Sequence, residues 1–124
     1  MRRAQQMVRE FQVAMGLPVH VGPPRLSNHA LRARLIREEA QETLEAIEAN
    51  DLVEAADGLA DLVYVILGSA VEWGIDLQAV LEEVHRSNCE KLWPDGKPRL
   101  DANGKVIKPP GWTPPDIAGV LGVR

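Results

Sequence analysis

REEAQETLEAIEANDLVEAADGLADLVYVILGSAVEW, residues 37–73, holds the decision on the fold. Its first part, REEAQETLEAIE (37–48), sets five carboxylates, Glu38, Glu39, Glu42, Glu45 and Glu48, on a little over three turns of predicted helix. At about 100° per residue, Leu35, Ile36, Ala40, Thr43, Leu44, Ala46 and Ile47 form one apolar arc, with Arg34, Arg37, Gln41, Glu45 and Glu48 opposite. A solvated face accounts for Glu45 and Glu48. It does not account for Glu39, which falls inside the arc between Leu35 and Thr43, nor for Glu42 and Glu38 toward its edge. Glutamate is seldom buried without a partner, so these three point to a role beyond solubility.

Working outward, Ser27 or Asn28 can cap this second helix, which runs to about Ala49. Asn50-Asp51 turns the chain, and Asp51 with Glu54 has capping-box spacing for a third helix over about 52–73. Two long helices joined by so short a turn are antiparallel neighbours. LADLVYVILGSAV is apolar nearly all round, which predicts a helix buried on most of its circumference, as in a bundle that also packs against another subunit. Glu54, Asp57 and Asp61 are its polar stripe, within roughly 60° of one another. Capping alone can explain Glu54. Asp61, next to Leu62, Tyr64 and Val65, has no cap to serve and calls for a proton, a partner or a metal.

Before this hairpin, Met7, Val8, Phe11, Ala14 and Met15 recur at helical spacing and stop at Gly16-Leu17-Pro18; residues 17–26 read as a loop. After it, Gly74 breaks the helix, Asp76 can cap a fourth, and Leu77, Val80, Leu81, Val84 and Leu92 mark that helix's apolar side through about Leu92. Asn88 and Lys91 share this side, and His85 at its edge reads as a hydrogen-bonded structural residue. Pro94-Asp95-Gly96 and Asn103-Gly104 predict a small hairpin, and PPGWTPPD a proline-stiffened tail. The fold class is therefore all-α: a four-helix-bundle-like domain spanning 1–124, with a hairpin and tail over about 94–124, associating at least as a homodimer or homotetramer.

A chain of 124 residues, 45% hydrophobic and 26% charged, suits one globular domain, and no charge-free apolar run is long enough to span a bilayer. The start, MRRAQQMVRE, lacks the apolar stretch of a signal peptide, and the lone Cys89 rules out an intrachain disulfide and a cysteine-based metal site. A reducing, cytoplasmic setting with no membrane partner is expected. A net charge of -4 argues against polymeric nucleic acid. From Glu38 to Glu83 there are thirteen Asp and Glu and no Lys, Arg or His. Counter-charge for any buried acid must come from the flanking segments, another subunit or a bound cation.

Two antiparallel helices with facing acidic stripes make a cage of oxygen ligands, which suits a hard divalent cation. A di-iron bundle site needs Glu-x-x-His pairs, and the acidic stretch has no histidine. Mg²⁺ with a phosphorylated substrate is the better reading, with Asn88 and Lys91 supplying a hydrogen bond and a positive charge to phosphate.

The pattern EE-x-x-E (Glu38, Glu39, Glu42), an acidic stripe on the next helix and N-x-x-K (Asn88, Lys91) resembles the all-alpha nucleoside triphosphate pyrophosphohydrolases. That superfamily includes MazG, the dimeric dUTPases and phosphoribosyl-ATP pyrophosphohydrolase. VHRSNCEKLWPDGKP and DANGKVIKPPGW resemble the small MazG-like members, so the likeness covers about residues 27–116. It implies Mg²⁺-dependent cleavage between the α and β phosphates of a nucleoside triphosphate, with Mn²⁺ as a substitute metal. Glu38, Glu39, Glu42, Glu54, Asp57 and Asp61 are then the candidate metal ligands; Glu38, Glu39 and Lys91 the catalytic candidates; Asn88, Lys91, Lys97 and Lys105 the candidates for binding substrate. Lys108 joins the last group as part of a lid. One departure stands out: the family continues with E-x-x-D, and with Asp61 as the aspartate the glutamate position is Gly58. Either Glu54 and Asp57 fill the pattern a turn earlier, or Asp57 substitutes from the neighbouring position. Phe11, His20, Trp73, Trp93 and Trp112 are candidates for stacking a base or for packing. The resemblance favours dUTP or another non-standard nucleotide; phosphoribosyl-ATP hydrolysis and a non-enzymatic, ion-binding helical assembly module are the alternatives.

Overall fold

The structure, a computed structural model, describes residues 1–123. They form five helices in the order α1 (Arg2–Ala14), α2 (His29–Glu48), α3 (Leu52–Trp73), α4 (Leu77–Cys89) and α5 (Ile117–Leu121), with no strand among the described residues. The chain forms two compact units, Met1–Leu77 and a second beginning at Gln78. Among the described residues no single helix is long and apolar enough to cross a membrane.

In the first unit, α1 and α2 both pack on α3. The α2–α3 turn works as its residues dictate. Asn50 takes the left-handed conformation (φ 55°), and Asp51 Oδ1 accepts the Glu54 amide at 3.1 Å to cap α3. Gly74, at φ 72°, ends α3 in the conformation that favours glycine. The start of α2 differs from expectation. Asn28 occupies the N-cap position but adopts φ 46° and makes no side-chain cap; its amide donates instead to Glu72 Oε1 at 2.5 Å.

That bond belongs to a buried polar hub between α2 and α3. Arg32, 7% exposed, donates through Nε to Ser69 Oγ (2.9 Å) and through Nη2 to the Val65 carbonyl (2.8 Å), with Glu72 Oε2 3.7 Å away. Burial pulls the guanidinium pKa below its ordinary value, and the Glu72 charge opposes that pull. Gly68 leaves the slot: a Cβ there would lie 2.5 Å from Arg32 Nη2 and 2.6 Å from Gln12 Oε1. Gln12 of α1 is itself buried and donates to the Pro18 carbonyl at 2.9 Å. The counter-charge for a buried acid of the base-free stretch thus comes from just before that stretch.

A second close approach lies further along the pair. Gly58 faces Thr43, where an added Cβ would come within 2.6 Å of Thr43 Oγ1 and 3.0 Å of its Cα. This explains the departure at Gly58, since a glutamate side chain would drive the helices apart.

The apolar core of a single chain is small. Among the described residues only Val8, Leu67, Ala70 and Val71 are buried hydrophobics, and the apolar circumference predicted for α3 is covered along its C-terminal part alone. Leu52, Val53, Leu59, Val63 and Tyr64 are exposed on its first part, as are Met7 and Phe11 on α1 and Met15 just after it.

In the second unit, α4 ends at Cys89 rather than near Leu92, and Lys91 sits in the turn that follows. The predicted hairpin reduces to a single antiparallel bridge, Leu100 to Val106, because Asp101 Oδ1 accepts the Asn103 and Lys105 amides (2.8 and 2.9 Å) in a side-chain-closed turn. The tail is not simply extended. Trp112 Nε1 donates to the Ser87 carbonyl (2.8 Å), Ser87 Oγ to the Thr113 carbonyl (3.1 Å), and the Asp116 amide to Glu83 Oε2 (2.8 Å). Asp116 then caps α5 through the Gly119 amide at 3.0 Å. A helix of five residues is too short to show a period in sequence, which is why it went unpredicted.

Two outcomes follow. Gly58→Ala gains helix propensity of about 1 kcal/mol but overpacks a backbone contact at a cost of about 1–3 kcal/mol, so thermal melting should show a net loss of up to about 2 kcal/mol. The Arg86 hydrogen bond, followed by the Asp116 amide, holds the Glu83 pKa down to about 2. A depressed acid stabilises above its unfolded pKa of about 4.3 and stops doing so as pH falls through the folded value. The Glu83 side-chain carboxyl resonance should therefore keep its position at pH 5 and titrate near pH 2.

Candidate functional site

The acids of α2 and α3 gather around one side chain. Glu39 projects from α2 toward α3 and is half-buried, and its Oε2 is a buried oxygen with no hydrogen-bond partner. Its pKa is raised, first by desolvation and then by the negative charges of Glu42, Asp61, Glu38 and Asp57. One turn further on, Thr43 Oγ1 donates to the Glu39 backbone carbonyl at 2.6 Å, tying the two residues to one stretch of helix.

Burial divides the other candidates from Glu39. Glu38 and Glu42 are exposed, although the wheel aimed them at the packed side; Glu38 lies 3.9 Å from Arg34 Nε, one turn back. Asp57 and Asp61 are exposed too, so the apolar neighbours of Asp61 in sequence do not enclose it in a single chain. Glu54 is exposed at the first turn of α3, where Asp51 caps its amide, and it is not among the charges that act on Glu39. Four acids, two from each helix, therefore surround Glu39, and Glu54 stands apart.

Among the described residues no group of three or more His, Cys, Asp or Glu side chains is already arranged to hold a metal ion. Like-charged carboxylates at one helix crossing repel, so they do not converge unaided. The donor set nonetheless fits a hard cation: carboxylate oxygens only, one of them buried and unsatisfied, on two helices held at fixed separation by Thr43 and Gly58.

The remaining candidates belong to the second unit. Asn88 is exposed at the end of α4, and its carbonyl accepts the Lys91 amide at 3.1 Å. Lys91 Nζ lies 5.5 Å from the Trp112 ring centroid, and Lys108 Nζ lies 4.6 Å from it. Lys97 and Lys105 are exposed. Arg99 stacks on Trp93 at 3.9 Å. Trp73, Trp93 and Trp112 all spend their indole N–H on backbone carbonyls, of Ser27, Ile107 and Ser87. His20 is engaged at both ring nitrogens, by the Pro23 carbonyl (2.8 Å) and by Arg25 Nη2 (3.4 Å), while Phe11 meets Tyr64 edge-on at 5.6 Å. His85 pairs with Cys89 at 3.6 Å on an exposed surface. A cavity of about 410 Å³ in the first unit lies at the C-terminal end of α3, lined by Arg2, Arg9, His20, Gly74 and Asp76 among others; none of the acids around Glu39 lines it.

The supports of the site were not visible in sequence. Arg32 and Glu72 are forty positions apart and look like ordinary surface charges; only the helix pairing brings them together. Gly58 did carry a signal, as the one break in an otherwise matching pattern.

Comparison with known proteins agrees with the geometry. A solved structure from Exiguobacterium sp. 255-15, described as a "putative NTP pyrophosphohydrolase", is 28% identical and superposes with a TM-score of 0.52 over 96% of this chain and 91% of that one. An uncharacterised protein of Acanthamoeba polyphaga mimivirus is 33% identical over 78 residues; these make up 63% of this chain but 29% of the viral protein. The family model for phosphoribosyl-ATP pyrophosphohydrolase matches residues 8–88, which include α2, α3 and the acids of both. The chain belongs to the phosphoribosyl-ATP pyrophosphohydrolase family, within the all-alpha nucleoside triphosphate pyrophosphohydrolase fold.

Proposed function

We propose that this chain is a Mg²⁺-dependent pyrophosphohydrolase that converts a nucleoside triphosphate to its monophosphate and pyrophosphate in the cytoplasm, with dUTP or another non-standard nucleotide as substrate. The observation that carries the reading is Glu39: a carboxylate with an unpartnered buried oxygen, among four further acids from two helices. Such an arrangement is costly in itself and becomes favourable when a cation is shared.

Glu39, Glu42, Asp57 and Asp61 are the residues that would hold Mg²⁺, or Mn²⁺ in its place, with Glu54 in a secondary position. When bound, the ion supplies charge neutralisation to the phosphates and a lower pKa to a coordinated water. The chain's own groups do the rest. Glu38, exposed and tethered by nothing closer than the 3.9 Å approach of Arg34, is free to orient a water and accept its proton. Asn88 and Lys91 take the phosphate-binding role that the N-x-x-K resemblance assigns them, and Lys97 and Lys105 supply further positive charge to the phosphates. The match to the phosphoribosyl-ATP family favours a second reading, in which phosphoribosyl-ATP is the substrate.

The exposed apolar side chains of α1 and α3 support self-association as a homodimer or homotetramer, which would take them out of water. Light scattering at micromolar concentration should give at least twice the 13.6 kDa chain mass; a clean monomer would contradict the proposal.

Pyrophosphate release from a panel of dUTP, standard nucleotides, modified nucleotides and phosphoribosyl-ATP tests both activity and substrate. No release from any member with Mg²⁺ or Mn²⁺ would leave a non-enzymatic assembly module. Glu39→Gln and Glu42→Gln should each lower kcat/KM by about a hundredfold or more, roughly 2.7 kcal/mol of transition-state stabilisation, in proteins that remain folded. Without metal, Glu39→Gln should melt above the parent, because it removes a crowded charge. Asp61→Asn should be as damaging as Glu39→Gln and Glu54→Gln mild, while Glu45→Gln and Glu48→Gln serve as surface controls.

A further inference from the structure

Glu38, Glu39 and Glu42 on α2 and Asp61 on α3 lie between two fixed points on this pair of helices, and Asp57 adjoins one of them. On one side the Arg32 guanidinium reaches from α2 into α3, bonding Ser69 Oγ at 2.9 Å and the Val65 carbonyl at 2.8 Å, with Glu72 beside it. On the other side Thr43 sits against Gly58 with no room for a methyl group. Arg32 and Glu39 are two turns apart and therefore share one face of α2 within about 20°.

We infer that Arg32, fixed by Glu72, is a positioning residue for the metal-binding carboxylates: it sets the register of α2 on α3 and so holds Glu39 opposite Asp57 and Asp61. The inference rests on the reading of those acids given above. A helix is stiff, so two contacts fix it as two pins fix a rod. At 1.5 Å of rise per residue, Arg32 lies about 16 Å from Thr43 and Glu39 about 6 Å from it. If the Arg32 end slips by about 1 Å about the Thr43–Gly58 pivot, Glu39 moves by about 0.4 Å. Metal–ligand distances tolerate about ±0.2 Å. A loss at Arg32 therefore reaches the acids although Arg32 touches none of them.

The planar fork matters as well as the charge. One guanidinium donates to two acceptors four residues apart on α3 while facing a carboxylate, and an ammonium cannot hold that geometry. Asn28, turned into the left-handed region, completes the arrangement by donating to the other oxygen of Glu72.

A hub that merely stabilises the fold and one that positions the site make different predictions for Arg32→Met/Glu72→Met. Replacing a buried ion pair by apolar side chains of similar volume is often neutral or stabilising, so the double variant should melt, in EDTA, at or above the parent. If Arg32 positions the acids, calorimetry should nevertheless show Mg²⁺ binding weakened by about tenfold, the low end of what loss of an outer-shell partner costs. The Mg²⁺ concentration for half-maximal activity should rise by the same factor, with kcat at saturating Mg²⁺ within about twofold of the parent. Parent-like Mg²⁺ affinity in the folded double variant overturns the inference and leaves the metal assignment standing. Should that variant fail to fold, Arg32→Lys takes its place: the same weakening is expected, and parent-like affinity in it is equally decisive against the inference. No Mg²⁺ binding by the parent would overturn the metal assignment and this inference together.

Discussion

A guanidinium buried between helices is the constraint on which the first unit depends. Arg32 has given up water, and its remaining partners are Ser69, the Val65 carbonyl and Glu72, all on α3. Loss of either charged member would leave the other buried and unpaired, at a cost of about 3–5 kcal/mol. That penalty makes the relative placement of α2 and α3 close to unique, because few other registers satisfy both charges. Two small-residue decisions make it feasible: Gly68 opens the slot for the guanidinium, and Gly58 lets α2 lie against α3 at Thr43.

The charge distribution of the chain then has a physical explanation. Thirteen acids without a base would destabilise any compact hairpin unless the charges were partnered or spread. The structure does both. Glu72 takes its partner from Arg32, and Asp76 takes Arg2 at 3.1 Å. Glu45 and Glu48 face solvent, and Asp51 serves as a helix cap. Glu83 is bonded to Arg86 and Glu82 to Gln78, and Glu54 lies exposed on the first turn of α3; at Glu39, by contrast, desolvation and then the charges of Glu42, Asp61, Glu38 and Asp57 raise the pKa. A cost of this kind, beside a buried oxygen without a hydrogen-bond partner, is what the proposed cation would relieve.

The second unit is organised by different means. Trp112 anchors the tail to α4 through the Ser87 carbonyl, and Glu83 holds both Arg86 and the Asp116 amide. Lys91 and Lys108 flank the same indole. A segment with nine-residue stretches as polar as DANGKVIKP has little apolar area to bury, so directional bonds to tryptophan and carboxylate take over the role of a core.

Periodicity and turn chemistry were enough to read the helical hairpin, its turn at Asn50-Asp51 and the Asp51 cap, because these depend on residues within a few positions of one another. The same local logic picked out Glu39 as the acid that faces inward. It erred wherever direction depended on a neighbour it could not see. Glu38 and Glu42 lie outside the packed strip, and Asp61 is open to solvent, because α1 and α2 cover less of α3 than its apolar sequence invites. The short α5 escaped because it is set by a single carboxylate, Asp116, rather than by a repeating pattern, and the predicted hairpin shrank to one bridge at Leu100 because Asp101 closes its turn. Sequence by itself determined the four main helices, near their observed bounds, and the acidic stripes of α2 and α3. The tertiary structure alone decided that Arg32 balances Glu72 and that Gly58 is a contact rather than a missing ligand, for the reason that both are properties of the gap between two helices, and a gap has no sequence.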